Sequence, residues 1–440
     1  MQQFLKQIIV AILSWEARAI LKRHRPFIIA VTGSVGKTTT KDAIFHVLKD
    51  TTSIRKSEKS FNSELGVPLT VLGLPNAWSD PFRWALYLTL GCFRACFGKT
   101  YPKVLVLEIG ADHPGDIARV TSWLKPDIAL ITKLPERPVH VEYFASPDEV
   151  RKEKWELARA LKQSGVLIVN GDDTYIKEFA HTSGARTITF GFGDDNALQG
   201  MEPQVRYTSA SPVVRQPLGF TFRVRWEKKD FSANMSGVLG VQFAAAALGA
   251  LAVGIAREES MERMIATLDT LETPPGRMRI IPGKKDSVII DDSYNASPVA
   301  GSAALQALKA VEGKRKVALL GDMLELGEFS EEEHRKLGGI AARSVDLLLT
   351  VGKRARLIAG SARTAGLPEE HIHEFTDSVQ AGKWMAEHLE RGDIILVKGS
   401  QGSGSNMIRM ERAVKLLMAH PEAASKLLVR QENEWQRQYQ

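Results

Sequence analysis

Cysteine is scarce in this sequence, and that scarcity limits both its chemistry and its compartment. The 440 residues include two cysteines, Cys92 and Cys96, and no Cys-x-x-Cys pair. A disulfide framework or a cysteine-based zinc site normally needs more thiols at set spacings, so both are excluded. A chain that keeps free thiols is typical of a reducing compartment, and we expect a cytoplasmic protein.

Long apolar runs are also missing. No segment reaches the roughly 18 consecutive apolar residues that cross a bilayer. Two segments instead carry apolar residues at helical spacing: residues 1–26, which end in Lys22-Arg23-His24-Arg25, and residues 78–97, which are rich in aromatic side chains. Each could lie on a membrane surface or pack on its own domain. Peripheral membrane contact and simple docking therefore both stay open.

The charge balance excludes a further class of partner. The net charge is +7, but the lysines and arginines are spread along the chain and are not gathered with aromatic residues in one patch. Nucleic-acid binding normally requires such a patch, so we expect no nucleic-acid partner. The excess suits small acidic substrates or a membrane surface.

The most informative segment that is present is residues 31–40, which read Val-Thr-Gly-Ser-Val-Gly-Lys-Thr-Thr-Thr. It follows an apolar, strand-like run and leads into a helical pattern. A glycine turn between a strand and a helix points backbone N–H groups at an anion, with the helix dipole behind them. We predict a P-loop for a nucleoside triphosphate, although the first glycine of the general pattern is replaced by Val31. The predicted ATP-binding residues of this loop are Gly33, Ser34, Val35, Gly36, Lys37, Thr38 and Thr39.

Short apolar runs alternate with helical patterns from Phe27 onward. Fully apolar strands between helices indicate parallel sheets covered on both faces. The clearest runs are 104–107, 128–131, 166–169, 317–320, 347–349 and 394–397. The sequence therefore predicts an α/β fold, with a central P-loop ATPase domain built on a mostly parallel sheet and a C-terminal Rossmann-like α/β domain.

Residues 186–256 depart from this alternation. The runs 187–192 and 220–226 predict strands of an antiparallel patch, and 238–256 predicts a long, buried, alanine-rich helix. Pro274-Pro275-Gly276 marks a break before a new βα series. We predict three parts: an amphipathic helix at 1–26, a central domain at 27–275 and a C-terminal domain at 276–440.

Side chains at strand ends supply the remaining chemistry. Glu108 ends an apolar strand, where a carboxylate beside a P-loop could hold the nucleotide's Mg²⁺. His140 follows another strand. Ser146-Pro147-Asp148-Glu149 is a capping box that begins a helix carrying Lys154. A lone glutamate, loop histidine or helical lysine is weak evidence, but here they occur together.

Seven sequence blocks stand out along the chain: Thr-Gly-Ser-Val-Gly-Lys-Thr-Thr at 32–39, Phe-Asn-Ser-Glu-Leu-Gly-Val-Pro at 61–68, Glu-Ile-Gly-Ala at 108–111, His-Val-Glu-Tyr-Phe-Ala-Ser at 140–146, Asp-Asp-Ser-Tyr-Asn-Ala-Ser-Pro at 291–298, Gly-Asp-Met-Leu-Glu-Leu-Gly-Glu at 321–328 and Val-Lys-Gly-Ser at 397–400. In this order they resemble the motifs of the Mur ligases, the ATP-dependent amide-bond synthetases of peptidoglycan synthesis. The blocks at 291 and 321 favour the subgroup that adds D-alanyl-D-alanine to a peptidoglycan precursor peptide.

The resemblance implies a mechanism and a role for each matching residue. ATP phosphorylates a carboxylate, and an amine then attacks the acyl phosphate, with ATP and Mg²⁺ required. The implied catalytic residues are Lys37, His140 and Lys154; the implied metal ligands are Thr38, Glu108, His140 and, if carbamylated, Lys154. Arg277 and Asp292 are implied to contact the nucleotide, and Asn62, Asn295, Asp322 and Glu325 the substrates.

The chain also departs from the family pattern. About 26 residues precede the first predicted strand, too few for the family's N-terminal UDP-binding domain, so we expect that domain to be missing. Leu239 and Phe243 replace a histidine and an adenine-contacting asparagine. Lys133 and Gln401 replace an asparagine and an arginine.

These departures leave alternatives open. One is a ligase of the same superfamily with a different acceptor. That ligase could be of the folate-polyglutamate type, or its acceptor could be lipid-linked or otherwise not UDP-linked. The other is a nucleotide-binding scaffold without ligase activity. A monomer is expected in each case.

Overall fold

The computed structural model describes residues 2–58, 61–77, 80–138, 141–208, 215–401, 408–431 and 435. His140, Trp78 and Ser79 therefore lie outside the described residues. Within them the chain forms two β-sheets with helices on both faces, as an α/β sequence predicts.

The first sheet has nine strands among the described residues, in the order β2-β3-β1-β4-β5-β6-β7-β8-β9. From β2 to β7 each neighbouring pair is parallel, and β7, β8 and β9 are antiparallel. The strands are β1 (Phe27–Thr32), β2 (Ile54–Lys56), β3 (Val104–Glu108), β4 (Ile128–Ile131), β5 (Val166–Asn170), β6 (Arg186–Gly191), β7 (Leu198–Tyr207), β8 (Pro217–Trp226) and β9 (Lys229–Ser236).

The antiparallel direction predicted for residues 187–192 is wrong. β6 pairs in parallel with β5, and at its end also with β7. The reason is the helix at Thr174–Thr182, which connects β5 to β6 as a crossover and so forces the parallel direction. The antiparallel direction predicted for 220–226 is confirmed, because β8 pairs with β7 and β9 in a meander.

The second sheet has the order β10-β11-β15-β12-β13-β14, parallel except for the edge pair β10 and β11. Its strands are β10 (Arg279–Pro282), β11 (Val288–Asp292), β12 (Lys316–Gly321), β13 (Leu347–Val351), β14 (Ile372–Phe375) and β15 (Ile394–Lys398). This is the Rossmann-like arrangement that the sequence predicts. The domain bounds at 27–275 and 276–440 stay predictions.

Helices cover both sheets. Those of the first part are α1 (Gln2–His24), α2 (Lys37–Leu48), α3 (Gly66–Leu72), α4 (Pro81–Phe97), α5 (Asp116–Thr121), α6 (Pro147–Arg159), α7 (Thr174–Thr182), α8 (Val241–Ala256) and α9 (Met261–Leu268). Those of the second are α10 (Pro298–Ala310), α11 (Ser330–Ala341), α12 (Arg356–Thr364), α13 (Ser378–Glu387), α14 (Glu411–Leu417) and α15 (Ala424–Leu427).

Helix α8 is almost wholly buried, which explains its alanine-rich sequence. It packs between α2 and strands β5 to β7. A Cβ at Gly249 would lie 3.2 Å from Phe190 and 3.3 Å from Thr40, so the missing side chain lets the layers approach. The helix begins at Val241, three residues later than predicted, because Gly240 precedes it with a φ of 106°.

The connection between the two sheets is short and fixed at Gly276. This residue has a φ of 71°, and Tyr294 N–H donates to its carbonyl at 3.1 Å. A Cβ here would lie 2.9 Å from Tyr294 N. The end of β11 is thereby held against the Pro274-Pro275-Gly276 linker.

The N-terminal helix α1 packs on its own domain against α3 and α4. Leu13, Ala17 and Ile20 are its buried contacts. None of the helices in the described part of the chain combines the length and the apolar character needed to traverse a bilayer.

One acidic side chain is buried between α1 and α4. Glu16 is 1% exposed, and among the described residues its Oε2 has no hydrogen-bond partner. It faces Gly91, where a Cβ would lie 2.1 Å from that oxygen. Burial raises the pKa of Glu16 from 4.5 to about 7, because the charged form loses its hydration.

We predict that Glu16→Gln stabilises the protein at alkaline but not at acidic pH. The folded state holds its proton more tightly than the unfolded state, so the free energy of unfolding falls as pH rises from about 4.5 to 7. The glutamine amide does not ionise, so the variant avoids this fall. Its free energy of unfolding should exceed that of the parent by on the order of 2 kcal/mol at pH above 7. Denaturant midpoints at acidic and alkaline pH measure it, with the exposed Glu387→Gln as control. Equal midpoints for Glu16→Gln and the parent at both pH values contradict the prediction.

Candidate active site

The predicted P-loop connects β1 to α2 and depends on two glycines. Gly33 has a φ of 143° and Gly36 a φ of 88°, both disfavoured for other residues. A Cβ on Gly33 would lie 2.0 Å from Thr132 Oγ1. That hydroxyl donates to the carbonyl of Val35 at 2.7 Å. The turn is therefore packed directly against the end of β4.

Lys37 is the first residue of α2 and folds back over the loop. Its Nζ donates to the Gly33 carbonyl at 2.9 Å. Burial lowers the pKa of Lys37, which the negative charge of Glu108 partly offsets and the positive charge of Arg277 reinforces. A partly desolvated cation above a ring of backbone amides is an effective site for phosphate oxygens.

Glu108 stands at the end of β3, directly beside this loop. Its Oε1 accepts from Thr38 Oγ1 at 3.1 Å and from Asn62 Nδ2 at 3.3 Å. The side chain is 1% exposed, and its Oε2 has no hydrogen-bond partner among the described residues. A buried carboxylate oxygen with spare acceptor capacity beside a hydroxyl is the donor set that Mg²⁺ prefers, so these residues fit the predicted ion.

Lys41 was not among the residues predicted from the sequence, and it helps to hold Glu108 in place. It is 1% exposed, donates to the Ser57 carbonyl at 2.8 Å and lies 3.8 Å from Glu108 Oε2. Ser57 in turn accepts from the Glu108 backbone N–H at 3.1 Å. The available signal was its position one helical turn after Lys37, on the same face of α2.

Lys154 is buried on α6, which packs on the opposite face of the first sheet from α2. It is 1% exposed, and burial lowers its pKa to about 7, with Lys37 adding to the effect and Asp112 opposing it. Its neighbour Glu153 anchors α6 by accepting from the backbone N–H groups of Gly115 and Ile117, at 2.8 and 2.7 Å, at the start of α5. At neutral pH much of Lys154 is a neutral amine.

The second predicted metal position is only partly described. His140, its implied ligand, lies outside the described residues, so the pairing of His140 with carbamylated Lys154 stays a prediction. Across the described ranges, no three His, Cys, Asp or Glu side chains gather as a ready metal site.

Residues of the second sheet face the P-loop. The guanidinium carbon of Arg277 lies 4.2 Å from the centre of the Tyr294 ring, a cation–π contact. Asp292, at the end of β11, accepts from Lys398 Nζ at 2.6 Å and from Met278 N–H at 3.2 Å. Lys398 also donates to the Asn295 carbonyl at 2.9 Å. One buried lysine therefore holds the segment at the end of β11, from Asp292 to Asn295, in position.

The two predicted substrate residues after β12 differ in position. Glu325 faces the space between the sheets, and burial, Asp112 and Glu142 together raise its pKa. Asp322 does not face that space: its Oδ1 accepts from the Ala355 N–H at 2.7 Å. It therefore orders the turn that carries Arg354.

A cavity of about 680 Å³ separates the two sheets and brings most of the predicted residues together. Of those residues, Gly33, Lys154 and Asp322 do not line it. The predicted residues that line it are Ser34, Val35, Gly36, Lys37, Thr38, Thr39, Asn62, Glu108, Arg277, Asp292, Asn295 and Glu325. The lining residues that sequence reasoning missed include Asp112, Glu142, Tyr143, Tyr294, Arg354, Lys398 and Ser400. Cations of both sheets thus face a common space that suits a polyanion.

Leu239 and Phe243, which replace the family's histidine and adenine-contacting asparagine, line different cavities. Phe243 is buried and lines the main cavity, whereas Leu239 lines a second, more apolar cavity of about 360 Å³ behind the loop. Neither offers a polar group to a base, so selection by hydrogen bonding from these two side chains is absent.

Comparisons with known proteins agree with this geometry. Residues 31–254 match the Mur ligase middle domain, and residues 276–401 match the Mur ligase, glutamate ligase domain. The chain belongs to the Mur ligase family. It is 30% identical over 408 residues, 92% of this chain and 79% of the relative, to the UDP-N-acetylmuramoyl-tripeptide–D-alanyl-D-alanine ligase of Bacillus subtilis. It is 29% identical to that of Escherichia coli over 89% of this chain and 76% of the relative.

Solved structures show the same family. The crystal structure of MurF ligase from Thermotoga maritima in complex with ADP superposes with a TM-score of 0.76 at 25% identity, over 94% of this chain and 84% of that chain. A Mycobacterium tuberculosis folylpolyglutamate synthase superposes with a TM-score of 0.59 at 14% identity, over 88% and 92% of the two chains, which shows a shared fold alone.

We predict that Gly33→Ala weakens ATP binding at least about tenfold, because a backbone reserved for glycine costs another residue about 1–3 kcal/mol and the new Cβ meets Thr132. Titration calorimetry with a non-hydrolysable ATP analogue measures the affinity. Gly184→Ala is the matched control, since Gly184 also has a positive φ, of 66°, but has open space around it. Equal losses in both variants, or none in Gly33→Ala, contradict the packing argument.

Proposed function

We propose that this Mur ligase adds D-alanyl-D-alanine to the carboxylate of a peptidoglycan precursor peptide, as the names of its relatives say of them. The enzyme is an ATP-dependent amide-bond ligase. The observation that carries the proposal is the cavity between the sheets, where the P-loop, Glu108 and Arg277 meet a wall of acidic side chains.

The cavity suits the first half of such a reaction. A carboxylate oxygen attacks the γ-phosphorus of ATP, ADP leaves and an acyl phosphate forms. Both reactants are anions, so the main requirement is to cancel their repulsion and align them. We assign Lys37, Arg277 and the amides of residues 33–39 to the phosphates. Thr38 and Glu108 would hold Mg²⁺, which when bound neutralises phosphate charge.

The second half needs an amine brought to the acyl carbon. The amine attacks, and the tetrahedral species collapses to an amide and inorganic phosphate. Asp112, Glu142 and Glu325 line one side of the cavity and would attract an ammonium group. Arg354 lines it too and would suit the substrate's terminal carboxylate. We assign Asn295 and Glu325 to this substrate, and Asp322 to positioning Arg354.

Lys154 has the properties of a lysine that can be carbamylated. Only the neutral amine adds carbon dioxide, and a pKa of about 7 provides that form at physiological pH. The carbamate would place an anion near Lys37, where the unmodified side chain is a neutral amine or a cation. With His140 it would then provide the anionic and imidazole ligands of a second metal position.

Acceptor dependence tests the proposal. Phosphate release from ATP should stay near background with either UDP-N-acetylmuramoyl-tripeptide or D-alanyl-D-alanine alone and rise when both are present. UDP-linked and lipid-linked peptides run side by side identify the acceptor. ATP binding without stimulation by any acceptor would favour the scaffold alternative, and stimulation by a different acid or amine would favour another ligase.

We predict that Lys154→Ala lowers turnover about a hundredfold, the usual effect of removing one preorganised charge from a site. Short carboxylic acids should restore part of the rate, because their anion can occupy the place of the carbamate. Exposed Lys152 on the same helix gives the control, Lys152→Ala, which should keep the parent rate. A wild-type rate for Lys154→Ala, or no rescue by any carboxylate, argues against the carbamate.

A further inference from the structure

Helices α1 and α4 expose an unusual share of large apolar side chains. Twelve large hydrophobic residues are exposed in the described part of the chain, and nine of them belong to this helix pair. We call these nine the α1–α4 surface: Leu5, Ile8, Ile12, Trp15, Phe82, Leu86, Leu90, Phe93 and Phe97. Phe82 is 85% exposed and Trp15 is 59% exposed, so the most costly side chains to hydrate are the least covered.

The spacing of these residues shows that they form stripes. On α1 they recur at intervals of three, four and three residues, and on α4 at four, four, three and four. Such intervals keep side chains on one face of a helix. Each helix uses another face for packing, through Leu13 and Ala17 on α1 and through Gly91 and Ala95 on α4. The stripes are therefore additional to the domain core.

The same two segments hold most of the net positive charge. Residues 2–25 and 80–99 carry eight lysines and arginines against two acids, so six of the seven net charges of the chain lie here. Of the two acids, Glu16 is buried, while Asp80 caps the start of α4 and forms an exposed ion pair with Arg83 at 3.3 Å, so the excess of cations over acids remains six. Cations are spread along the rest of the chain, but acids offset them there.

We propose that the α1–α4 surface binds the face of an anionic lipid bilayer, with its apolar stripes among the headgroups and its cations on the lipid phosphates. Apolar helix faces flanked by lysine and arginine bind such surfaces, through buried apolar area and attraction to anionic lipid together. A second copy of the chain is a poor occupant, because it would bring six like charges to the contact. The proposal goes beyond the ligase activity and does not depend on it.

Vesicle sedimentation tests the role of the stripes. The full-length protein should sediment with vesicles of phosphatidylcholine and phosphatidylglycerol and much less with phosphatidylcholine alone. Phe82→Ser with Phe93→Ser should weaken binding at least about tenfold, since each removes several buried carbons. Leu218→Ser is the control, because Leu218 is 42% exposed but lies on β8.

Charge reversal tests the attraction to lipid. Arg83 and Lys99 are exposed at the two ends of α4. Arg83→Glu with Lys99→Glu should weaken binding to anionic vesicles at least about 25-fold, because each surface cation contributes about fivefold. Lys314→Glu with Lys383→Glu makes the same change of charge elsewhere and should bind like the parent. Retained ATP affinity in every variant shows that the fold is intact.

The chain's own cysteines give a direct readout. Cys92 and Cys96 are its only thiols, and both are exposed on α4. An environment-sensitive dye on Cys96 of a Cys92→Ser variant should shift to shorter wavelength with anionic vesicles and not with neutral ones. Absence of sedimentation and of the shift overturns the proposal. So does equal binding to both vesicle types, or a dimer that Phe82→Ser with Phe93→Ser dissociates, which would assign the surface to a second copy.

Discussion

The contact between Thr38 and Glu108 holds the site of this enzyme together. It joins the start of α2 to the end of β3. Strand β1, which pairs with β3, and the glycine loop that follows β1 lie next to this contact. Glu108 is a buried carboxylate, and burying one without partners costs several kcal/mol. The hydroxyl of Thr38, the amide of Asn62 and the nearby ammonium of Lys41 offset that cost. The same three neighbours fix the direction of the carboxylate toward the cavity.

Much of this arrangement could be predicted from the sequence because it is local. A strand, a glycine turn and a helix with Lys37 at its start are contiguous, so their chemistry can be inferred without knowledge of the fold. Glu108 could be inferred because the carboxyl ends of parallel strands meet at one edge of a sheet. The two-sheet α/β fold followed from short apolar runs between helices, and it is confirmed.

What the sequence did not predict depends on tertiary packing. Lys41 looks like an ordinary surface lysine until Ser57 and Glu108 are brought against it. Asp322 follows β12 and Arg354 follows β13, yet Asp322 accepts from Ala355 N–H and so holds the turn that carries Arg354 at the cavity. A matched motif identified Asp322 but could not show which way its carboxylate points. The direction of β6 was likewise set by the helix before it and not by its own residues.

The short linker at Pro274-Pro275-Gly276 has a consequence for how the two halves of the site are brought together. The phosphate-binding loop belongs to one sheet, while Arg277, Asp292 and Lys398 arrive with the other, so each half is chemically incomplete alone. Two prolines and a glycine held by Tyr294 permit few relative orientations. A substitution in this linker would therefore change how the two sets of charged groups face each other, while every reactive group stayed intact.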